Sequence, residues 1–170
     1  MQPTELTISR IIRAPREEVF AAWTDPELLR QWWGPGPVTC PEAHVDLREG
    51  GAYRIANRQL DGSITWISGT FERVRAPEEL VYTWSVSIVP GGPTLVRVRF
   101  LPHPDGTELV LTHDRFAVAA VRDMHGEGWN GCLDKLQAFM VQDRPLTNAS
   151  SSAPPVAPPP PRGSSGRSNP

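Results

Sequence analysis

Lysine and cysteine are scarce in this chain of 170 residues. Lys135 is the only lysine, so arginine supplies the other sixteen of the seventeen cationic side chains. The two cysteines, Cys40 and Cys132, are far apart in the sequence. This spacing argues against a disulfide framework, and we predict a reducing, cytoplasmic location.

Long apolar runs and an excess of positive charge are also absent. No run approaches the roughly 18 apolar residues of a membrane-spanning helix, and residues 1–15 lack the basic and apolar regions of a signal peptide. The net charge of −2 does not indicate the basic surface of a nucleic-acid-binding protein. We therefore predict a soluble protein with neither a membrane span nor a nucleic-acid partner.

The composition changes at residue 144. Residues 144–170 contain eight prolines and six serines but no aromatic side chain, and they contribute +3 to the net charge of −2, which leaves −5 for residues 1–143. Such a segment buries too little apolar surface to offset its ordering entropy. The sequence predicts a domain at 1–143 and a disordered Pro/Ser-rich tail at 144–170, whose role is solubilising or, as the alternative, that of a ligand for a proline-binding module.

Within the domain, apolar residues alternate with a period of two in some segments and of three to four in others. Strand candidates are 5–13, 43–48, 52–58, 64–75, 80–88, 94–101 and 107–115. Helix candidates are 14–25, 26–33 and about 118–141. The connections between successive strands have the length of hairpin turns, which predicts an antiparallel sheet. The order of elements predicts an α+β fold: a curved seven-stranded sheet, two short helices after the first strand, and a long C-terminal helix against the sheet.

Five segments occur in a specific order: "IIRAPREEVFAAWTDPELLRQWWGP", "GGAYRI", "SGTFERVRAPEELVYTW", "GTELVLTH" and "EGWNGCLDKLQAFM". Together they resemble the SRPBCC (START-like) superfamily, and within it the branch similar to the activator of the heat-shock protein 90 ATPase. The resemblance covers residues 5–142. It implies the helix-grip fold of birch-pollen-allergen-like proteins, with a cavity between the last helix and the sheet.

Members of this superfamily bind lipids, hydrophobic metabolites or hormones, and some are cyclases, dehydratases or hydrolases. We therefore predict that the chain binds a small hydrophobic molecule in the cavity, without a cofactor, as a monomer or homodimer. Two alternatives stay open. One is a protein-interaction module that assists a chaperone, and the other is a cyclase- or hydrolase-type enzyme that uses a cavity histidine.

Aromatic side chains dominate the predicted cavity. The residues expected to line it are Trp23, Trp32, Trp33, Trp66, Phe71, Trp84, His113, Phe116, Met124, His125, Trp129 and Leu133. The adjacent Trp32 and Trp33, followed by Gly-Pro-Gly-Pro, either anchor the core under the turn or place one ring at the cavity mouth.

No nucleophile–base or metal-binding motif occurs, so we predict no catalytic residue and no metal site. Cys40 and His44 have a spacing at which two ligands could meet, but no further ligands follow at suitable spacing. His113 shares a strand face with apolar residues, which favours a hydrogen-bonded core residue over a general base. On the last helix, His125 could hydrogen-bond a ligand or act as an acid or base, whereas periodicity places Glu127 nearer solvent.

Two further features have alternative interpretations. Arg54 and Glu72 either pair inside the fold or form a surface ion pair. Gly128 interrupts a helix at a cost of about 1 kcal/mol relative to alanine. A glycine there either lets the helix approach the sheet or leaves room for a bound molecule.

Overall fold

A computed structural model gives the fold of residues 4–151, with side chains described as far as residue 141. Within that range, the elements in chain order are β1 (Leu6–Ile12), α1 (Arg16–Thr24), α2 (Pro26–Trp32), β2 (Ala43–Val45), β3 (Ala52–Arg58), β4 (Ile64–Arg75), β5 (Glu79–Val86), β6 (Thr94–His103), β7 (Gly106–Asp114) and α3 (Ala119–Ser151). Among the described residues, no helix is both long and apolar enough to cross a membrane.

The seven strands form one antiparallel sheet in the order β1-β7-β6-β5-β4-β3-β2. Consecutive strands from β2 to β7 are neighbours, as their short connections require. The two short helices carry the chain from β1 at one edge of the sheet to β2 at the other. The predicted α+β architecture, with its seven-stranded sheet, two short helices and long C-terminal helix, is confirmed.

The two short helices begin where their sequence signals occur. Pro15 precedes α1, and Glu17 and Glu18 occupy its first turn, where carboxylates are favourable. The Asp25 side chain accepts a hydrogen bond from the backbone N–H of Glu27 at 2.9 Å and so caps α2. The buried Trp32 then joins the helices, because its indole N–H donates to the carbonyl of Ala22 at 2.8 Å.

Helix α3 packs its apolar stripe into the core. The buried residues of this stripe recur at steps of one, three and four and are Trp129, Cys132, Leu133, Leu136 and Met140. The stripe is described as far as Met140, close to the predicted helix end at about 141, and the helical backbone continues to residue 151. The remainder of the predicted tail, residues 152–170, lies outside the described residues.

Lys135, the only lysine, connects the long helix to the loop that follows α2. The Lys135 ammonium group, on α3, donates to the carbonyl oxygens of Gly36 at 3.1 Å and Val38 at 2.7 Å. These contacts hold the Gly-Pro loop that follows α2 against the long helix. Partial burial lowers the pKa of Lys135, because desolvation disfavours the charged form.

A glycine in β4 allows a side chain to reach across the sheet. Gly69 lies opposite Tyr53 on β3, and the Tyr53 hydroxyl donates to the carbonyl of Thr83 on β5 at 2.6 Å. A Cβ atom at Gly69 would collide with that same carbonyl oxygen. The close approach therefore requires glycine at this position.

Gly69→Ala should lower the free energy of unfolding by about 1–3 kcal/mol, because the added methyl group forces the Thr83 carbonyl and the Tyr53 hydroxyl apart. Urea unfolding followed by circular dichroism measures this loss. Gly92→Ala is the matched control, since a Cβ there meets no atom within 4 Å, and it should change stability by less than about 0.5 kcal/mol. Equal urea midpoints for the two variants would contradict the assignment.

Candidate functional site

A groove of about 530 Å³ lies between the first half of α3 and the ends of strands β3, β4 and β5. Its lining residues, which define the groove below, are Trp33, Pro35, Asn57, Gln59, Ser63, Ile64, Thr65, Ile67, Trp84, Val86, Ile88, Val89, Met124, His125, Gly128, Trp129 and Cys132. The volume falls in the range of about 300–1,000 Å³ that is usual for small-molecule sites.

Three indole rings form the deep wall of the groove. The ring centroids of Trp84 and Trp129 are 4.9 Å apart, and the Trp33 centroid lies 5.7 Å from that of Trp129 and 6.2 Å from that of Trp84. Each ring donates its N–H to an acceptor within the protein. The pairs are Trp33 Nε1 to Asn57 Oδ1 at 2.9 Å, Trp84 Nε1 to His125 Nε2 at 3.1 Å, and Trp129 Nε1 to His113 Nδ1 at 2.9 Å.

His113 stands behind this wall with no exposed surface. An indole nitrogen can only donate, so His113 Nδ1 accepts the hydrogen bond from Trp129, and Nε2 carries the ring hydrogen. Nε2 lies 2.7 Å from the Thr94 hydroxyl, which in turn donates to the carbonyl of Trp84 at 3.2 Å. Both ring nitrogens are therefore used in the core, so His113 offers no basic nitrogen to the groove.

His125 is the histidine that reaches the groove. Its Nδ1 lies 2.9 Å from the carbonyl of Val121, one helical turn earlier, and therefore donates. This leaves Nε2 as the acceptor of the Trp84 indole proton. Burial lowers the pKa of His125. The neutral His125 ring holds the edge of the Trp84 ring through this hydrogen bond. Glu127, on the same helix, is exposed, as its position in the helical period predicts.

The groove carries no formal charge. Aspartate, glutamate, lysine and arginine are all absent from its described lining. Burial raises the pKa of the Cys132 thiol to about 12, so this group is neutral at physiological pH. Apart from His125 and Cys132 on α3, the uncharged polar side chains of the lining lie on one side, at the β3–β4 hairpin, and are Asn57, Gln59, Ser63 and Thr65.

The mouth of the groove is apolar and open to solvent. Ile64, Ile88 and Met124 are 38%, 73% and 53% exposed, although all three line the groove. Exposed large apolar side chains around one opening are typical of ligand or protein contact sites.

The structure divides the twelve residues predicted from the sequence into groups. Five line the groove and are Trp33, Trp84, Met124, His125 and Trp129. Trp23 and Phe71 border a separate void of about 20 Å³, which also touches Trp33 and Trp84. Phe116 lines a recess of about 180 Å³ on the other side of Trp84 and His125, while Trp32, His113 and Leu133 are core residues outside the groove lining.

Trp66 faces away from the groove. Its neighbours Thr65 and Ile67 point into the groove, and successive side chains of a strand lie on opposite faces. The Arg54 guanidinium lies 3.9 Å from the centre of the Trp66 ring, which is a cation–π contact. Arg54 therefore contacts Trp66 on the outer face of the sheet, and among the described residues it forms no ion pair with Glu72.

Cys40 and His44 do not form a shared site. The buried Cys40 thiol donates to the carbonyl of Glu42 at 3.4 Å, while the exposed His44 ring contacts the Glu42 carboxylate. Among the described residues, no cluster of three or more His, Cys, Asp or Glu side chains is placed to hold a metal ion.

Sequence reasoning missed the polar wall and, apart from Met124, the apolar mouth. Thr65 and Ile67 share a strand face, and this alternation was a usable signal for the inward side of β4. Asn57 gave a weaker one, as an amide that shares a strand face with the apolar Tyr53 and Ile55. Ile88 lies in the loop after β5, where no periodicity indicates which way a side chain points.

The stability of the fold should depend on His113 and on pH. Burial, with His125 as a second cause, lowers the pKa of His113 to about 2 from its ordinary 6.5. Below pH 6.5 the unfolded chain binds a proton that the folded chain does not, so the free energy of unfolding falls as pH falls. The slope is about 1.4 kcal/mol per pH unit, and between pH 7.5 and 5.0 the loss from His113 should be about 2 kcal/mol.

Urea unfolding at these two pH values, with wild type and His113→Asn in parallel, tests this dependence. The amide oxygen of asparagine lies close to the position of Nδ1, so it can still accept from Trp129, but it does not titrate. The variant should therefore lose about 2 kcal/mol less than wild type between pH 7.5 and 5.0. An identical pH dependence in both proteins would show that His113 does not titrate in this way.

Comparisons with known proteins agree with this fold. The crystal structure of the AHSA1 protein from Silicibacter pomeroyi is 26% identical, with a TM-score of 0.74 over 82% of this chain and 99% of that chain. The solution structure of the AHSA1-like protein from Aeromonas hydrophila is 27% identical, with a TM-score of 0.68 over 84% and 94%. A protein from Chromobacterium violaceum, 24% identical with a TM-score of 0.75 over 82% and 98%, shows the same fold.

No curated protein matches the chain. The family model described as activator of Hsp90 ATPase homolog 1-like protein matches residues 13–140, which is most of the chain. The match includes α1, α2, the strands from β2 to β7 and the part of α3 that lines the groove. The chain therefore belongs to the family of activator of Hsp90 ATPase homolog 1-like proteins, an SRPBCC-type family.

Proposed function

We propose that the groove binds a small, uncharged and largely hydrophobic molecule. The observation that carries this proposal is the wall of three tryptophans whose N–H groups are all bonded within the protein. A ring with its N–H already satisfied presents only apolar surface to the groove. Apolar surface of this kind gains free energy by leaving water, at about 25 cal/mol per Å².

The absence of charged side chains from the described lining supports an uncharged ligand. A carboxylate or ammonium group inside this groove would lose hydration without gaining an opposite charge, and this costs several kcal/mol. The amide and hydroxyl groups at the β3–β4 hairpin can instead bind a carbonyl or hydroxyl group. The ligand best matched to the groove is a ring system or hydrocarbon with one uncharged polar end.

A matched pair of ligands tests this selectivity. Intrinsic tryptophan fluorescence of the full chain should change saturably with a flavone, because the ligand contacts Trp33, Trp84 and Trp129. The same flavone carrying a carboxylate on its buried ring should bind at least about tenfold more weakly, which corresponds to about 1.4 kcal/mol. Fatty acids compared with their methyl esters, together with sterol-like compounds, extend the panel. Equal affinity for the charged and uncharged members would contradict the proposal.

Gly128 offers a second test, because a Cβ at this position meets no atom within 4 Å. The glycine thus leaves room in the groove and is not needed for close packing of α3. Gly128→Leu should place a side chain in the groove and lower ligand affinity at least about tenfold. Because leucine is the better helix former, stability should rise by roughly 0.5–1 kcal/mol.

Glu127→Leu is the control for this variant. It adds the same side chain at the neighbouring exposed position of the helix, so ligand affinity should stay within about twofold of wild type. Thermal unfolding of both variants checks that the helix is intact. Wild-type affinity in Gly128→Leu would place the ligand elsewhere.

Chaperone activation is the second candidate, and the observation in its favour is the family match itself. The family description names this activity, and the Silicibacter and Aeromonas proteins carry the family's abbreviation in their names. ATP hydrolysis by Hsp90, measured with and without the full chain, tests it. A rise in rate that survives Gly128→Leu would support an activity independent of the groove, and an unchanged rate would exclude activation of that chaperone.

A further inference from the structure

The outer face of the sheet carries an arginine-rich pocket of about 440 Å³. This pocket shares no lining residue with the groove. We call it the arginine pocket. Five arginines line it and are Arg16 at the start of α1, Arg73 and Arg75 on β4, and Arg97 and Arg99 on β6. Two glutamates, Glu78 and Glu79, are its acidic lining residues. The pocket therefore has a formal charge of +3 in a chain whose net charge is −2.

The strand register brings four of these arginines together. Arg75, Glu79 and Arg99 form one row across β4, β5 and β6. The next row is Arg73, Val81 and Arg97. Val81 is only 5% exposed although it lies on the outer face, as expected where the aliphatic stems of neighbouring arginines cover an apolar residue.

Glu79 pairs with both arginines of one row, Arg73 and Arg97, and not with Arg75 or Arg99. Its Oε1 accepts from Arg73 at 3.2 Å, and its Oε2 lies 3.4 Å from the Arg97 guanidinium. Both carboxylate oxygens are therefore engaged, and the side chain is only 16% exposed. Arg73, Glu79 and Arg97 therefore form an ion-paired triad within the pocket lining.

The remaining three guanidinium groups of the pocket are those of Arg16, Arg75 and Arg99. Among the described residues, Arg75 and Arg99 form no ion pair within 4.0 Å, and the Arg16 guanidinium contacts the carbonyl of Phe100 at 3.5 Å. Guanidinium groups bind phosphate oxygens in bidentate fashion. Three such groups without acidic partners around one concavity match a ligand with several negative charges.

The distance between the arginines indicates which class of anion the pocket can bind. Neighbouring strands lie about 4.8 Å apart, so the backbones of Arg75 and Arg99, two strands apart, are separated by about 10 Å. Two or three linked phosphates can contact arginines on both strands. An extended acidic peptide presents carboxylates on one side only every second residue, about 6.6 Å apart, and needs cations along a longer line. We propose that the arginine pocket binds a small molecule with two or more linked phosphate groups.

Isothermal titration of the full chain with sodium tripolyphosphate tests this proposal. Binding should be saturable and should weaken as salt is raised, because the pocket is exposed. Arg75→Gln/Arg99→Gln should lower the affinity at least about tenfold, which is the scale of losing charge-assisted hydrogen bonds. Arg48→Gln/Arg58→Gln removes the same charge from exposed positions outside the pocket and should change the affinity by less than about twofold.

Inorganic monophosphate and a glutamate-rich peptide complete the comparison, and near-UV circular dichroism checks the fold of both double variants. Both ligands should bind more weakly than tripolyphosphate. No saturable binding of tripolyphosphate, or an equal loss of affinity in the two double variants, would overturn the proposal. Tighter binding of the peptide or of monophosphate would also overturn it, in favour of an acidic protein segment or of a general anion site.

Discussion

Every indole nitrogen in an apolar interior needs an acceptor, and this constraint determines the shape of the groove. An indole N–H can only donate, and leaving it unpaired in the core costs about 1–3 kcal/mol. Trp33, Trp84 and Trp129 meet the requirement with one asparagine and two histidines. Because these bonds fix the edges of the rings, the positions of the three tryptophans are set by polar chemistry, although their contribution to the groove is apolar.

His113 and His125 stabilise the tryptophan wall by accepting hydrogen bonds from two of its indole N–H groups. A neutral imidazole has one donor and one acceptor nitrogen. Each ring can therefore accept a hydrogen bond from an indole N–H and donate one to a second group. Burial favours the neutral form, and the pKa of both rings is lowered. The same desolvation that would weaken a general base therefore stabilises the hydrogen-bond network behind the groove.

Much of the fold could be predicted from the sequence because each element has a local cause. Alternation along β6 and β7 indicated which residues face the core, Pro15 indicated the start of α1, and Asp25-Pro26 indicated the break between α1 and α2. The site was harder to predict. Trp66 and Trp84 are both strand tryptophans, but one stacks under Arg54 outside the sheet and the other lines the groove. Composition does not distinguish them, whereas the strand register does.

The sequence by itself determined the strands, the helices, their order and the family, since hydrophobic period, turn residues and helix-start signals act over a few residues. The tertiary structure alone decided which aromatics face the groove, which polar groups border it, and where arginines gather. These properties depend on which residues become neighbours across strands that are distant in the chain. Arg75 and Arg99 are 24 positions apart in the sequence and share one register row only because β5 lies between them.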